Sequence, residues 1–169
     1  TDLSCVVNPT VGKEHDMLPL EPASQTKKVM VIGGGPGGLE AARISALRGH
    51  QVTLYEKEAS VGGQFRLAAV PPMKQELTRL IRYFEIQLEK AGVTVQLNTE
   101  VAPELVDDVK PDVAIIATGA ESLILNIPGI DGKRVVTAHQ VLTGGVSLPQ
   151  GKVLVIGGGL VGLETAEYL

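Results

Sequence analysis

Residues 28–45 and 152–169 are two copies of one short sequence. Lys28-Val-Met-Val-Ile-Gly-Gly-Gly-Pro-Gly-Gly-Leu-Glu-Ala-Ala returns 124 residues later as Lys152-Val-Leu-Val-Ile-Gly-Gly-Gly-Leu-Val-Gly-Leu-Glu-Thr-Ala, and eleven of eighteen aligned pairs are identical. Solenoid repeats recur every ~20–50 residues, so this spacing describes one supersecondary unit used twice. Each copy runs from a β-branched stretch through a glycine-rich turn into small and apolar residues, the order strand, turn, helix. Two nucleotide-binding folds are implied. The second copy stops at Leu169, before any returning strand, which predicts a fragment holding one full unit and the start of another.

Between the copies, strand and helix signals alternate. Val29–Ile32 reads as a buried parallel strand, followed by Leu39, Ala42, Ile44, Ala46 and Leu47 on a helix that Gly49 closes. Gln51–Tyr55 alternates as a second strand. Glu58–Pro72 is a glycine-rich loop that ends in Pro71-Pro72, and loops of that length are commonly functional. Leu77, Leu80, Ile81, Phe84, Leu88 and Ala91 recur at three- and four-residue steps, predicting a helix over Lys74–Ala91 that Gly92 caps. Val93–Leu97 is the third strand and Asp112–Thr118 the next, after a Pro-punctuated connection. Val135-Val136 reads as a short strand and Thr137–Leu142 as a helical turn. Residues 1–26, with Pro9, Pro19 and Pro22, form an arm. The pattern predicts an α/β fold: a doubly wound, Rossmann-like parallel sheet over residues 27–150, then the start of a second such domain over 151–169.

Composition narrows the partners. The 15 basic and 19 acidic residues leave a net charge of −4, with no basic cluster beyond Lys27-Lys28, so nucleic acid is not an expected partner. One cysteine makes no internal disulfide. No apolar run approaches the ~20 residues that span a bilayer, and no signal-peptide layout opens the chain, so the expected setting is cytoplasmic without membrane contact. Glycine supplies 20 of 169 residues while Trp is absent, so backbone rather than aromatic cages is expected to do the binding.

The glycines have separable tasks. Gly33-x-Gly35-x-x-Gly38 follows a predicted strand and opens a predicted helix: Gly33 allows the tight turn, Gly35 a close approach to pyrophosphate, and Gly38 the packing of helix on strand. Pro36 suits a first helical position, and Gly37 adds no side chain where phosphate would sit. Glu56, 23 residues after Gly33, ends the second strand where a carboxylate can accept from a ribose 2′-OH and repels a 2′-phosphate. That favours FAD or NAD over NADP at the first turn; a solvated acid beside Lys57 and Glu58 is the alternative. Gly157-x-Gly159-x-x-Gly162 repeats the mechanism, but its ribose-reading residue would lie past Leu169, so NADH and NADPH are not separated. Glu40 and Glu164 are expected in the first turns of their helices, where acids complement the dipole.

Paired nucleotide units, Glu56 and the strand end Ala117-Thr118-Gly119 resemble the FAD and NAD(P)H domains of the glutathione-reductase-like flavoproteins over residues 27–169. Ser4-Cys5-Val6-Val7-Asn8-Pro9, Gly12-Lys13-Glu14, the run Gly49 to Tyr55 and Val61-Gly62-Gly63-Gln64-Phe65 further resemble the C-terminal half of the 2,4-dienoyl-CoA reductase and NADH:flavin oxidoreductase family. The resemblance implies a larger enzyme with an N-terminal flavin barrel carrying FMN, a [4Fe–4S] cluster, and this FAD/NAD(P)H module. It implies Cys5 as the fourth cluster ligand of the parent, Gly63 and Gln64 along the FAD, Ala117, Thr118 and Gly119 near its pyrophosphate or flavin, and Val101 with its backbone against adenine. It places Lys57 beside Glu56 among the cofactor contacts.

No catalytic acid, base or nucleophile is signalled, and His15, His50 and His139 lack metal-ligand spacing. Hydride would pass from NAD(P)H to FAD, with electrons going on through the cluster to FMN, for reduction of dienoyl-CoA or related enoates. Alternatives are an amine-dehydrogenase-like or glutamate-synthase-small-subunit-like module, in which the nucleotide is structural or feeds another acceptor. The chain alone is predicted to bind FAD or ADP without turnover; steady NAD(P)H oxidation with a soluble acceptor would overturn that.

Overall fold

The computed structural model describes residues 3–5, 7–148 and 150–169; Val6 of the arm motif lies outside them, as do Thr1, Asp2 and Pro149. Four parallel strands form one sheet: β1 (Lys28–Ile32), β2 (Gln51–Tyr55), β3 (Thr94–Gln96) and β4 (Val113–Ile116), in the order β3-β2-β1-β4. Lys28 to Ile32 lie opposite Gln51 to Tyr55 on one side, and Val29 to Ile32 lie opposite Val113 to Ile116 on the other. Thr53 to Tyr55 pair with Thr94 to Gln96. This is the strand order of one half of a doubly wound fold, whose switch point lies between β1 and β4.

Burial follows from that order. β1, flanked on both sides, buries Val29, Met30 and Val31, and β2 buries Val52 and Leu54. The connection from β1 to β2 is α2 (Pro36–Leu47), which packs Leu39 and Ala42 inward. α4 (Thr78–Lys90) buries Ile81, Phe84 and Leu88 at helical spacing, each worth about 1.5–3 kcal/mol.

Several connections carry short helices that periodicity did not reveal. The arm contains α1 (Glu14–Met17), the Gly-rich loop contains α3 (Gln64–Ala68), and the Pro-punctuated connection contains α5 (Pro103–Val109). The helix expected from Lys74 begins as a 3₁₀ turn over Gln75–Leu77 before α4. α6 (Ala138–Leu142) carries a capping box: the Gln140 N–H donates to Thr137 Oγ1 and the Thr137 N–H to Gln140 Oε1. The second copy of the repeat ends in α7 (Leu160–Tyr168).

Two expected strands are absent. Val135 sits in a turn, its N–H donating to Gly132 O at 2.8 Å, and Val153–Ile156 pairs with no strand among the described residues. A strand exists through its ladder of hydrogen bonds, so β-branched residues without a neighbouring strand remain irregular.

The chain forms two compact units. One holds the residues up to Gly63 with Arg79–Thr118 and contains the sheet; the other holds Gln64–Thr78 with Gly119–Leu169, where α6 packs on α7. The end of the arm is tied to the turn between α2 and β2: the Ala23 N–H donates to Arg48 O, Thr26 Oγ1 to Gly49 O, and the Lys27 N–H to His50 Nδ1. No helix among the described residues is long and apolar enough to cross a membrane. Leu54 of β2 is fully buried, so Leu54→Ala is expected to cost about 2–5 kcal/mol in urea unfolding of the chain; a loss under ~1 kcal/mol would contradict this core.

Candidate functional site

At the end of β1, Gly33 turns with φ +108°, and its N–H donates to Tyr55 O at 2.8 Å. A Cβ there would stand 2.3 Å from Ala117 O, and one at Gly38 would stand 1.9 Å from Gly33 O. The chain itself therefore demands glycine at both positions. Gly35 and Gly37 differ: a Cβ at either would meet nothing within 4 Å, and Gly35 has ordinary extended backbone, φ −72° and ψ 174°. Their missing side chains leave space above the start of α2, whose N-cap is Gly35 and first residue Pro36, with no side chain capping it. The first-turn N–H groups of a helix lack intrahelical partners and carry about half a positive charge. Open space over such donors fits a pyrophosphate.

Glu56 completes this edge. It is 6% exposed, and its two oxygens accept from the Gly34 N–H (2.7 Å) and the Glu58 N–H (2.9 Å). Its backbone N–H donates to Gln96 O and its carbonyl accepts from the Thr99 N–H, both at 2.9 Å. Glu56 is thus not a solvated surface acid. A carboxylate offers about four lone-pair sites, so two remain for outside donors such as ribose hydroxyls.

Gly34 escaped the sequence pattern, where it is a free position. A Cβ there would lie 2.9 Å from Glu56 Oε2 and 3.2 Å from Val61 Cγ1. The glycine at the same place in the second copy, Gly158, was the available signal. The loop after β2 also closes on this turn: the Gly62 N–H donates to Gly34 O at 2.7 Å, and a Cβ at Gly63, φ +50°, would lie 3.2 Å from Gly35 Cα. The remaining positions are spread more widely. Lys57 is exposed, Val101 half-buried two residues beyond Thr99, and Thr118 exposed; the Ala117 N–H donates to Ile32 O at 2.8 Å. Gln64 and Gly119 belong to the second unit, where the Gln64 amide donates to Ala120 O.

The second turn repeats the local pose. Gly157 has φ +113°, Gly159 has φ −78° and ψ 177°, and a Cβ at Gly162 would stand 2.0 Å from Gly157 O. Glu40 and Glu164 lie past the first turns of their helices, contrary to the dipole expectation. Glu40 accepts from Arg43 Nε and Nη2 at 2.7 and 2.8 Å, which holds that guanidinium above its ordinary pKa, and Glu164 pairs with Lys74. Cys5 is an exposed free thiol, and no group of three or more His, Cys, Asp or Glu able to hold a metal exists among the described residues. A [4Fe–4S] cluster takes four ligands, so these residues alone do not hold one.

The description "pyridine nucleotide-disulphide oxidoreductase" belongs to the family model that matches residues 27–169. The chain belongs to this family. It is similar to bilirubin reductase of Mediterraneibacter gnavus, 44% identical over 99% of this chain and 26% of that protein. Cinnamate reductase of Clostridium sporogenes is 41% identical over 99% of this chain and 24% of its own. Among solved structures, a 2-naphthoyl-CoA reductase in complex with 2-naphthoyl-CoA superposes with a TM-score of 0.92 at 42% identity, covering 97% of this chain and 25% of that one. The resemblance to enoate and dienoyl-CoA reductases read from the arm and loop motifs agrees with these relatives. The chain spans about a quarter of their length.

The two kinds of glycine separate in experiment. Gly38→Ala, with its methyl driven into Gly33 O, is expected to cost more than ~3 kcal/mol of stability or to prevent folding. Gly37→Ala, facing open space, is expected to leave stability within about 1 kcal/mol while weakening ADP binding at least tenfold by calorimetry. Unchanged ADP affinity in Gly37→Ala would remove the pyrophosphate from this turn.

Proposed function

We propose that this chain is the electron-input module of a longer flavin-dependent oxidoreductase, holding FAD by its ADP half at the first turn and NAD(P)H at the second. The observation that carries this is the open space over Gly35 and Gly37 beside the buried Glu56. When bound, nicotinamide and flavin supply hydride chemistry that no side chain here provides. The N–H groups of the first turn of α2 would hold the pyrophosphate, with the helix dipole adding attraction that needs no lysine or arginine. The unfilled lone pairs of Glu56 would accept the ribose hydroxyls, and its charge would disfavour a 2′-phosphate. Gly63, packed against Gly35, would shield that side of the pyrophosphate from water. The backbone beside Val101 would meet the adenine, with Lys57 at its solvent edge, while Ala117 and Thr118 would line the path toward the flavin. Gly157, Gly159 and Gly162 would receive the pyrophosphate of NADH or NADPH.

In the longer protein, Cys5 would contribute one thiolate to a [4Fe–4S] cluster completed elsewhere, and electrons would leave for an FMN-bearing barrel that reduces a dienoyl-CoA or related enoate. The relatives support that substrate class, since cinnamate reductase and 2-naphthoyl-CoA reductase are named for conjugated acyl substrates.

Titration of the purified chain with FAD, ADP and FMN, by flavin fluorescence and calorimetry, tests the first site. FAD and ADP are expected to bind and FMN, which lacks the ADP half, to bind at least a hundredfold more weakly; Gly35→Val should abolish FAD binding. FMN binding as tight as FAD would refute the assignment, and ADP binding as tight as FAD would make the site a nucleotide holder without a flavin role.

A further inference from the structure

The excursion Gln64–Thr78, part of the second unit, turns at Pro71-Pro72-Met73-Lys74. Both sides of that turn are held. Before it, Ala69 and Pro71 are buried, the Ala69 N–H donates to Arg66 O and the Val70 N–H to Leu67 O. After it, the Gln75 amide donates to Pro71 O at 3.3 Å and the Leu77 N–H to Lys74 O at 3.0 Å. Met73 stands at the tip, with φ +63° and a fractional exposure of 92%.

Neither backbone preference nor packing accounts for a methionine there. Left-handed backbone crowds a Cβ, so residues other than glycine adopt it only where something compensates. Two others among the described residues do so: Asn98 is of a type that tolerates the pose, and Lys110 closes α5 with its N–H donating to Val106 O. Met73 has neither reason, and its side chain gains almost no burial. The fold therefore holds a thioether out in solvent on a fixed turn. The other two methionines are placed differently: Met30, in the middle of β1, is 1% exposed, and Met17, at the end of α1, is 41% exposed.

We propose that Met73 is a site of reversible oxidation by hydrogen peroxide or an alkyl hydroperoxide. A lone pair on Met73 Sδ attacks the hydroxyl oxygen of the peroxide; an S–O bond forms as the O–O bond breaks, and water or an alcohol leaves. Sulfur gives up two electrons and the peroxide accepts them, so the step balances without another reagent. Susceptibility follows exposure: Met73 meets the oxidant without any opening of the fold, whereas Met30 reacts only when the sheet opens. The product is a polar sulfoxide on a nearly fully exposed side chain, which changes the surface of this turn and leaves the core intact. Reduction by a methionine sulfoxide reductase returns the thioether.

Peptide mass spectrometry tests this by following sulfoxide at Met17, Met30 and Met73, in the chain and in the full-length protein, with hydrogen peroxide in excess so that thiols do not deplete it. Met73 is expected to react at least about threefold faster than Met17 and at least about fiftyfold faster than Met30, differences that vanish in the urea-unfolded chain. The urea midpoint of the chain oxidised at Met73 should match that of the unmodified chain. Met73→Leu should remove the fast phase and leave the Met17 rate unchanged. Met17 or Met30 reacting as fast as Met73, slow reaction of Met73 in the full-length protein, or a lowered urea midpoint after its oxidation would each overturn the proposal.

Discussion

A buried carboxylate organises the edge of the sheet on which everything else rests. Taking the charge of Glu56 out of water is costly unless it is hydrogen-bonded, and its two oxygens meet that demand with the N–H groups of Gly34 and Glu58. Its own backbone is held by Gln96 and Thr99. One residue thus joins the turn after β1, the loop after β2 and the loop after β3. Because those are the carboxyl ends of the strands, the carboxylate sets the shape of the crevice where a doubly wound sheet receives its ligand. The protein's own hydrogen bonds fix this edge.

The glycines around that crevice answer two different demands. Gly33, Gly34 and Gly38 are glycine because protein atoms stand where a side chain would go. Gly35 and Gly37 are glycine at positions the protein leaves open, and the helix start beneath them offers unpaired donors and a positive dipole end. Crowding by the protein accounts for the first set and not for the second. The two copies differ here: at Gly157, unlike Gly33, a Cβ would meet nothing within 4 Å, and its φ of +113° by itself favours glycine.

Membership of the pyridine nucleotide-disulphide oxidoreductase family accords with these turns, because the family's chemistry belongs to cofactors and the protein's work is to hold them. The described residues include a buried carboxylate held by backbone N–H groups and two helix starts without a side-chain cap. The arm anchors to the turn between α2 and β2 through backbone carbonyls and the His50 ring, which gives that histidine a structural use.

Much of this was legible in the residue order. β2, β3 and β4 lie within the expected runs, β1 begins one residue before its own at Lys28, and the two glycine turns have the expected local form, because β-branched stretches, helical periodicity and a strand-turn-helix glycine pattern are all short-range signals. Val135-Val136 and Val153–Ile156 carry the same kind of run and form no strand, since a strand needs a partner that local sequence does not supply. The short α3 and α5 were hidden for the converse reason: five and seven residues span too few turns for a periodicity to show. Local order likewise left open what Glu56, Gly34, Glu40 and Glu164 would touch. Burial turned Glu56 from a plausible surface acid into the acceptor that binds the loops together, and made a glycine of the unconstrained position at Gly34. The chain's own sequence determined an α/β sheet with two glycine-rich strand-to-helix turns; the folded arrangement alone brought the Gly34 N–H to Glu56 and selected which cation Glu164 meets, because those partners lie 22 and 90 residues away and come together only when the chain packs.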